Sequence, residues 1–220
     1  MRGAAGRMIL RYCTFLVGII IMSFGVALSV QALIGTTPIS AIPLVMSLAT
    51  PFTLGQYTVA INVVLFIGQI LILRRQFEKI QILQIPAAFA FGGACDLALW
   101  ILRDVQPTSY PAQLATSILG SIVLGIGVWL QVSPKVLTLA GDGFIVAIAK
   151  VTKRLFGQVK IIVDSTLVAI AIVLSLVLLG GLEGVREGTV IAAFLVGYVV
   201  KLLQRKIPWP AALSPTQPPR

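Results

Sequence analysis

Residues 12–33 read YCTFLVGIIIMSFGVALSVQAL, 22 consecutive residues without a charged side chain. A helix needs roughly 20 predominantly apolar residues to cross about 30 Å of hydrocarbon, so this stretch predicts a membrane span. A signal peptide is the alternative, because Arg2, Arg7 and Arg11 precede the stretch. We reject it, since the apolar run exceeds the usual hydrophobic region of roughly 7–15 residues and no cleavage site followed by a soluble domain is present.

Further apolar runs of similar length follow along the chain. They cover residues 55–73, 82–102, 113–132, 161–179 and, in a shorter form, about 188–203. Asp96 interrupts the third run and Asp164 the fifth, while Lys201 in the last run can extend toward the membrane surface. The sequence therefore predicts an all-α polytopic membrane protein with six transmembrane helices.

The composition supports this class and excludes others. The chain is 58% hydrophobic and 11% charged, with a mean hydropathy of +1.01, whereas soluble domains are roughly 45–50% apolar and about 25% charged. The chain has no histidine, which excludes histidine-dependent catalysis. Cys13 and Cys95 lie in apolar segments, where we expect inert thiols. We find no enzymatic motif and predict no enzyme, cofactor or metal site.

We interpret the net charge of +10 as a signal for the orientation of the chain in the membrane rather than for nucleic acid binding. The basic residues form short clusters between the apolar runs, where they act as topology signals and contacts to anionic lipid headgroups. With the N-terminus in the cytoplasm, every Lys and Arg except Arg103 and Arg186 falls on the cytoplasmic side. We predict that both termini are cytoplasmic, that residues 207–220 form a disordered cytoplasmic tail, and that nucleic acid is not a partner.

The two halves of the sequence resemble each other at an offset of 102 residues. The identical pairs include Gly18/Gly120, Gly25/Gly127, Thr36/Thr138, Gly55/Gly157 and Gln56/Gln158, and Asn62 falls opposite Asp164. Because each half holds three spans, the second copy must enter the membrane from the opposite side. We predict two inverted repeats, residues 1–104 and 105–206, as found in many secondary transporters. A duplicated but non-transporting bundle is the alternative.

The connectors after the first and fourth spans are unusual for loops. Residues 34–54 carry no charge and several prolines, and residues 133–156 contain Pro134 and the triplet Gly141-Asp142-Gly143. Each is too apolar for a solvated loop and too short or too broken for a span. Re-entrant segments that line a site, and interfacial helices that only seal the bundle, are both compatible with these sequences.

Ionisable residues inside a membrane are costly and therefore candidates for function. Asp96, Asp142 and Asp164 could carry protons or cations, or oppose a cationic substrate. For Asp164 the alternative is a structural ion pair with Lys160, one helical turn earlier. Uncharged polar residues could bind a solute or simply join helices.

Four short blocks resemble those of the bacterial YczE/YyaS/YitT-type integral membrane proteins. They are GTTPIS (35–40), TLGQ (53–56), GDG (141–143) with KIIVD (160–164), and GVREGT (184–189), and the resemblance covers about residues 11–204. It implies a multi-pass protein of the bacterial cytoplasmic membrane without an agreed substrate. It also singles out Thr36, Asp142, Asp164, Arg186 and Glu187 as motif positions.

The preferred functional hypothesis is a small secondary transporter with its site between the repeats, near the bilayer midplane. Asp142 and Asp164 would bind the coupling ion or a cationic group. Gln56, Asn62 and Gln158 would orient the solute, Thr36, Thr37 and Ser40 would line the site, and Asp96, Arg186 and Glu187 would form an outer gate. The expected partners are the lipid bilayer and a small solute, and a homodimer is a candidate assembly because six short spans enclose little volume.

Two other functions remain open at the level of sequence. A non-transporting membrane partner or scaffold would depend on its loops and lipid-facing surfaces more than on its buried aspartates. A membrane subunit of an energised importer would need separate ATPase subunits, since the chain has no Walker motif.

Overall fold

A computed structural model describes the backbone of residues 2–207 and the side chains of residues 6–207. The predicted disordered tail lies outside this range, apart from Ile207. All regular elements in the described part are helical. The helices are α1 (Arg2–Gln31), α2 (Pro38–Ala49), α3 (Leu54–Leu73), α4 (Gln84–Ile101), α5 (Tyr110–Val132), α6 (Ala140–Thr152), α7 (Phe156–Leu179) and α8 (Glu187–Lys206), with 3₁₀ turns at Arg74–Gln76 and Lys79–Leu83 between α3 and α4.

Six of these helices are long and apolar enough to cross a membrane, which confirms the predicted class. The candidate spans are Gly6–Gln31, Leu54–Gln76, Lys79–Ile101, Tyr110–Val132, Phe156–Leu179 and Glu187–Lys206. Their outer faces expose large apolar side chains, such as Val177 at 74% and Phe194 at 77%. Apolar surface of this extent is unusual on soluble monomers and suits contact with lipid.

The helices α1 and α5 cross at close range because glycines lie at their contact. A methyl group on Gly18 would meet the backbone nitrogen of Gln131 at 2.6 Å, and one on Gly120 would meet the backbone nitrogen of Ser29 at 2.8 Å. Gly25 and Gly127 lie similarly close to the opposite backbone. Small residues let helices approach each other in membranes, where dispersion contacts drive association.

The helices α2 and α6 are too short to span a bilayer. They contain 12 and 13 residues, which correspond to about 18 and 20 Å at a rise of about 1.5 Å per residue. Each packs between long helices: α2 contacts α7 and α3, and α6 contacts α3 and α7. Most of the first two turns of α2 is buried, so the N-terminal part of this helix is enclosed by the bundle.

The turn that leads from α1 into α2 depends on Gly35. Its φ of +100° lies in a region that side-chain-bearing residues rarely adopt. A methyl group there would also meet Oγ1 of Thr189 at 2.5 Å. The neighbouring Ile34 carbonyl accepts a 2.8 Å hydrogen bond from the backbone N–H of Gly188, which ties this turn to the start of α8.

Candidate functional site

A cavity of about 530 Å³ lies between the short helices α2 and α6 and the spans that surround them. The first turns of both short helices contribute to its wall, through Ile39 and Ser40 of α2 and through Gly141 and Asp142 of α6. Most of the remaining wall is apolar. Its apolar residues include Met22, Val26, Ile61, Phe91, Leu124, Val128, Val132, Val146, Phe156 and Val196.

The first turns of α2 and α6 meet at the cavity. A methyl group on Gly141 would overlap with Cδ1 of Ile39, so these two residues are in direct contact. Both helix N-termini therefore lie at the same place in the molecule. The partial positive charges of two helix N-termini are concentrated there.

Polar side chains from both halves of the chain line the cavity. In the first half of the chain all of them are uncharged, namely Thr37, Ser40, Thr58 and Asn62. In the second half most are charged, namely Thr138, Asp142, Lys160, Asp164, Lys201 and Gln204. Thr37 Oγ1 donates to Ser40 Oγ at 3.0 Å, and Asn62 Nδ2 donates to the Thr58 carbonyl at 2.8 Å.

Lys160 and Asp164 form an ion pair across one turn of α7. The Lys160 Nζ lies 3.1 Å from Oδ2 of Asp164, and the two side chains are 43% and 18% exposed. Such i, i+4 pairs contribute only a few tenths of a kcal/mol, up to about 0.5 kcal/mol, in exposed helices. Here the pair matters more for the charge balance of the cavity, since it neutralises one of the two carboxylates.

Asp142 is the other carboxylate of the cavity and lies in the first turn of α6. Among the described side chains, residues 6–207, the Asp142 carboxylate forms no hydrogen bond or ion pair with another group. Its helix is not one of the six candidate spans. Burial raises the pKa of Asp142 above its ordinary value, the nearby Lys160 ammonium lowers it, and the charge of Asp164 raises it.

Lining residues recur in pairs at the offset of 102 residues that relates the two halves of the sequence. Both members of each pair line the cavity, and the contacting residues Ile39 and Gly141 are themselves such a pair. The pairs are Met22/Leu124, Val26/Val128, Thr37/Leu139, Ile39/Gly141, Ser40/Asp142, Thr58/Lys160 and Asn62/Asp164.

Several residues singled out from the sequence meet in this cavity, and others do not. The structure brings together Asp142, Asp164, Asn62, Thr37 and Ser40. The residues that it places outside the cavity lining are Asp96, Gln56, Gln158, Thr36, Arg186 and Glu187. Lys160 was predicted only as a partner of Asp164, and Thr58 and Thr138 were not predicted to line the site.

Asp96 and Gln56 both act at the N-terminus of α3. The Asp96 carboxylate accepts hydrogen bonds from Thr53 Oγ1 at 2.6 Å and from the Gly55 backbone N–H at 2.7 Å. Gln56 closes a capping box with Thr53, in which each side chain accepts from the other residue's backbone N–H. These contacts satisfy N–H groups at a helix start. Gln158, the counterpart of Gln56 in α7, is exposed.

Arg186 and Glu187 lie at the N-terminus of α8. Arg186 Nη2 is 3.1 Å from Glu187 Oε1, and Arg186 Nη1 donates to the Leu33 carbonyl at 3.5 Å. Thr36 is fully buried nearby, and its hydroxyl has no partner among the described residues. These residues connect the start of α8 to the turn before α2. In the described part of the chain no group of three acidic, cysteine or histidine side chains could hold a metal ion.

The helices and the cavity define a multi-pass helical membrane protein whose mostly apolar cavity carries a few charged side chains. Residues 9–205 match the family of unknown function DUF6198, and the chain belongs to this family. The uncharacterized protein YyaS of Bacillus subtilis (strain 168) is 27% identical over 165 residues, which cover 74% of this chain and 81% of that protein. The expected YyaS-type relationship is therefore confirmed. No solved structure is significantly similar to the chain.

Proposed function

We propose that the protein is a secondary transporter of a small solute, with the cavity between α2 and α6 as its binding site. It is built from two inverted three-span repeats and lies in the bacterial cytoplasmic membrane with both termini in the cytoplasm. It needs no cofactor and catalyses no covalent reaction. In transporters of this kind, two halves of opposite orientation expose one site alternately to each side of the membrane.

The observation that carries this proposal is the pairing of residues around the cavity. Ser40/Asp142 and Asn62/Asp164 occupy equivalent positions in the two halves, and all four line the same space. A cavity formed by chance packing would not draw its wall from matched positions of two sequence repeats. A site at the interface of inverted repeats has this property, because the pseudo-symmetry axis passes through it.

Helix packing in the two halves supports the same arrangement. The contact of α1 with α4 has a counterpart in α5 with α8, and that of α2 with α7 in α6 with α3. The α2–α3 contact likewise corresponds to α6–α7. The close packing of α3 on α4 is the exception, since α7 and α8 lack a contact of similar extent.

We further propose that α2 and α6 are re-entrant half-helices. Their first turns meet inside the bundle and line the cavity, and both helices are too short to cross it. Non-helical backbone at membrane depth must be buried in protein or face water. The turns before α2 and α6 meet this requirement, because Thr36 and Thr37 are buried and Thr138 and Leu139 border the cavity.

The proposal can be tested by thermal unfolding of the purified protein against a panel of inorganic cations, amines, amino acids, sugars and organic acids. A solute at 100 times its dissociation constant stabilises the protein by about 2.7 kcal/mol. The same solute should then be transported by the protein in liposomes. The variant Val128→Trp fills the cavity and should abolish both effects, whereas Val177→Trp on the exposed face of α7 should preserve both.

A solute that stabilises the wild type and Val177→Trp but never crosses the liposome membrane would contradict transport. Stabilisation that persists in Val128→Trp would contradict the cavity as the binding site. If no solute in the panel binds, the proposal loses its support in favour of a membrane partner protein. Co-purification with an ATPase would instead favour an importer subunit.

A further inference from the structure

We propose that the transported solute is a monovalent organic cation with an apolar body, whose positive group pairs with Asp142. This inference rests on the proposed transport function and names the substrate class of the same cavity. It follows from three properties of the cavity: its apolar wall, its charge balance and the chemistry at the contact between α2 and α6.

The wall of the cavity requires a solute with substantial apolar surface. Met22, Val26, Phe91, Leu124 and Val128 contribute apolar side chains from three different spans, α1, α4 and α5. A volume of about 530 Å³ falls within the range of roughly 300–1,000 Å³ that is typical of small-molecule sites. A small, strongly hydrated solute such as a sugar or a metal ion would leave most of this wall without favourable contacts.

The charge balance of the cavity leaves one carboxylate without a partner. Lys160 and Asp164 neutralise each other at 3.1 Å. Lys201 also borders the cavity but is exposed near the end of α8. Asp142 lies in the first turn of α6 and forms no ion pair within the described residues. A cationic group that enters the cavity would supply the missing counter-charge.

The two helix N-termini at the cavity would by themselves favour an anion. At α6, however, Asp142 already supplies the negative charge, and an anion bound there would be repelled by it. At α2, Pro38 provides no backbone N–H, and the Ser40 N–H donates to the Thr37 carbonyl at 3.0 Å. Two of the backbone positions that would supply donors to an anion at the start of α2 are therefore unavailable.

The experiment uses two ions of nearly the same size and shape but opposite charge, tetraphenylphosphonium and tetraphenylborate. Binding of each to the purified full-length protein is measured by equilibrium dialysis. We expect tetraphenylphosphonium to bind at least about tenfold more tightly. The variant Asp142→Asn should lower its affinity about tenfold or more, and Asp142→Glu should largely retain it. Asp104→Asn removes an exposed carboxylate paired with Arg103 and should change nothing.

Equal or tighter binding of tetraphenylborate would overturn the proposal, as would unchanged tetraphenylphosphonium affinity in a folded Asp142→Asn variant. If Asp142→Asn does not fold, the comparison of the two ions on the wild-type protein still decides the question. Liposome flux separates this inference from the proposed function. Tetraphenylphosphonium that binds at Asp142 but enters proteoliposomes no faster than protein-free liposomes contradicts transport. Transport of a neutral or anionic solute alone contradicts only the substrate class.

Discussion

At the scale of single residues, Asp96 illustrates how a charge inside a span can have a structural role. Its two carboxylate oxygens accept hydrogen bonds from Thr53 and from Gly55 at the start of α3. Negative charge at a helix N-terminus is also favoured by the helix dipole. Asp96 does not line the cavity, and its role in stabilising the start of α3 is sufficient to explain its presence.

We predict that Asp96→Ala lowers the free energy of unfolding by about 1.5–3 kcal/mol, because hydrogen bonds to a charged group are lost and the first turn of α3 frays. Solute binding in the cavity should be unaffected. Equilibrium unfolding and ligand affinity can be measured on the same sample, with the exposed Asp104→Ala as the control. Unchanged stability together with lost binding would show instead that Asp96 belongs to the site.

The roles of Gln56 and Asp96 differ in how far the sequence could predict them. Thr53 and Gln56 carry the Thr-x-x-Gln spacing of a capping box, so a local signal for Gln56 was available. The matching position in α7 has Leu155 in place of Thr53, and Gln158 is exposed. Asp96 lies 43 residues from Thr53, and no local pattern identifies a contact over that distance.

At the scale of helices, the crossing of α1 and α5 depends on small residues. We predict that Gly120→Ala costs about 1–3 kcal/mol of stability, because the added methyl group meets the backbone of Ser29 and the helices must separate. Gly93→Ala on the exposed face of α4 has open space around it and should leave stability unchanged or slightly raised. Thermal unfolding measures the stability of the two variants. An equal loss of stability in both would contradict the close packing of α1 and α5 as the cause.

Hydropathy predicted the six long helices, because a membrane span has a length and composition that few other structures share. The helix limits differ at the ends: α1 begins at Arg2 and α8 extends to Lys206, beyond the uncharged runs. Prolines and glycines indicated that the connectors were unusual. The contact between Ile39 and Gly141 could not be predicted, since it depends on how distant helices pack.

At the scale of the whole molecule, the proposed orientation can be tested by chemical labelling. In a background without Cys13 and Cys95, a cysteine at Gln106 lies in the connector between α4 and α5, and one at Glu78 lies between α3 and α4. One span separates these connectors, so they fall on opposite sides of the membrane. With cytoplasmic termini, an impermeant maleimide should label only position 106 in intact cells. Labelling of position 78 alone would reverse the orientation.

The contact between Ile39 and Gly141 has a consequence for how such a molecule can be encoded. These positions are equivalent in the proposed repeats, so their contact lies at the pseudo-symmetry axis that relates the two halves. Two identical half-length chains would place either two isoleucines there, which would collide, or two glycines, which would leave a gap. A single gene that encodes both halves removes this restriction. One half can supply the protruding side chain and the other the space that receives it.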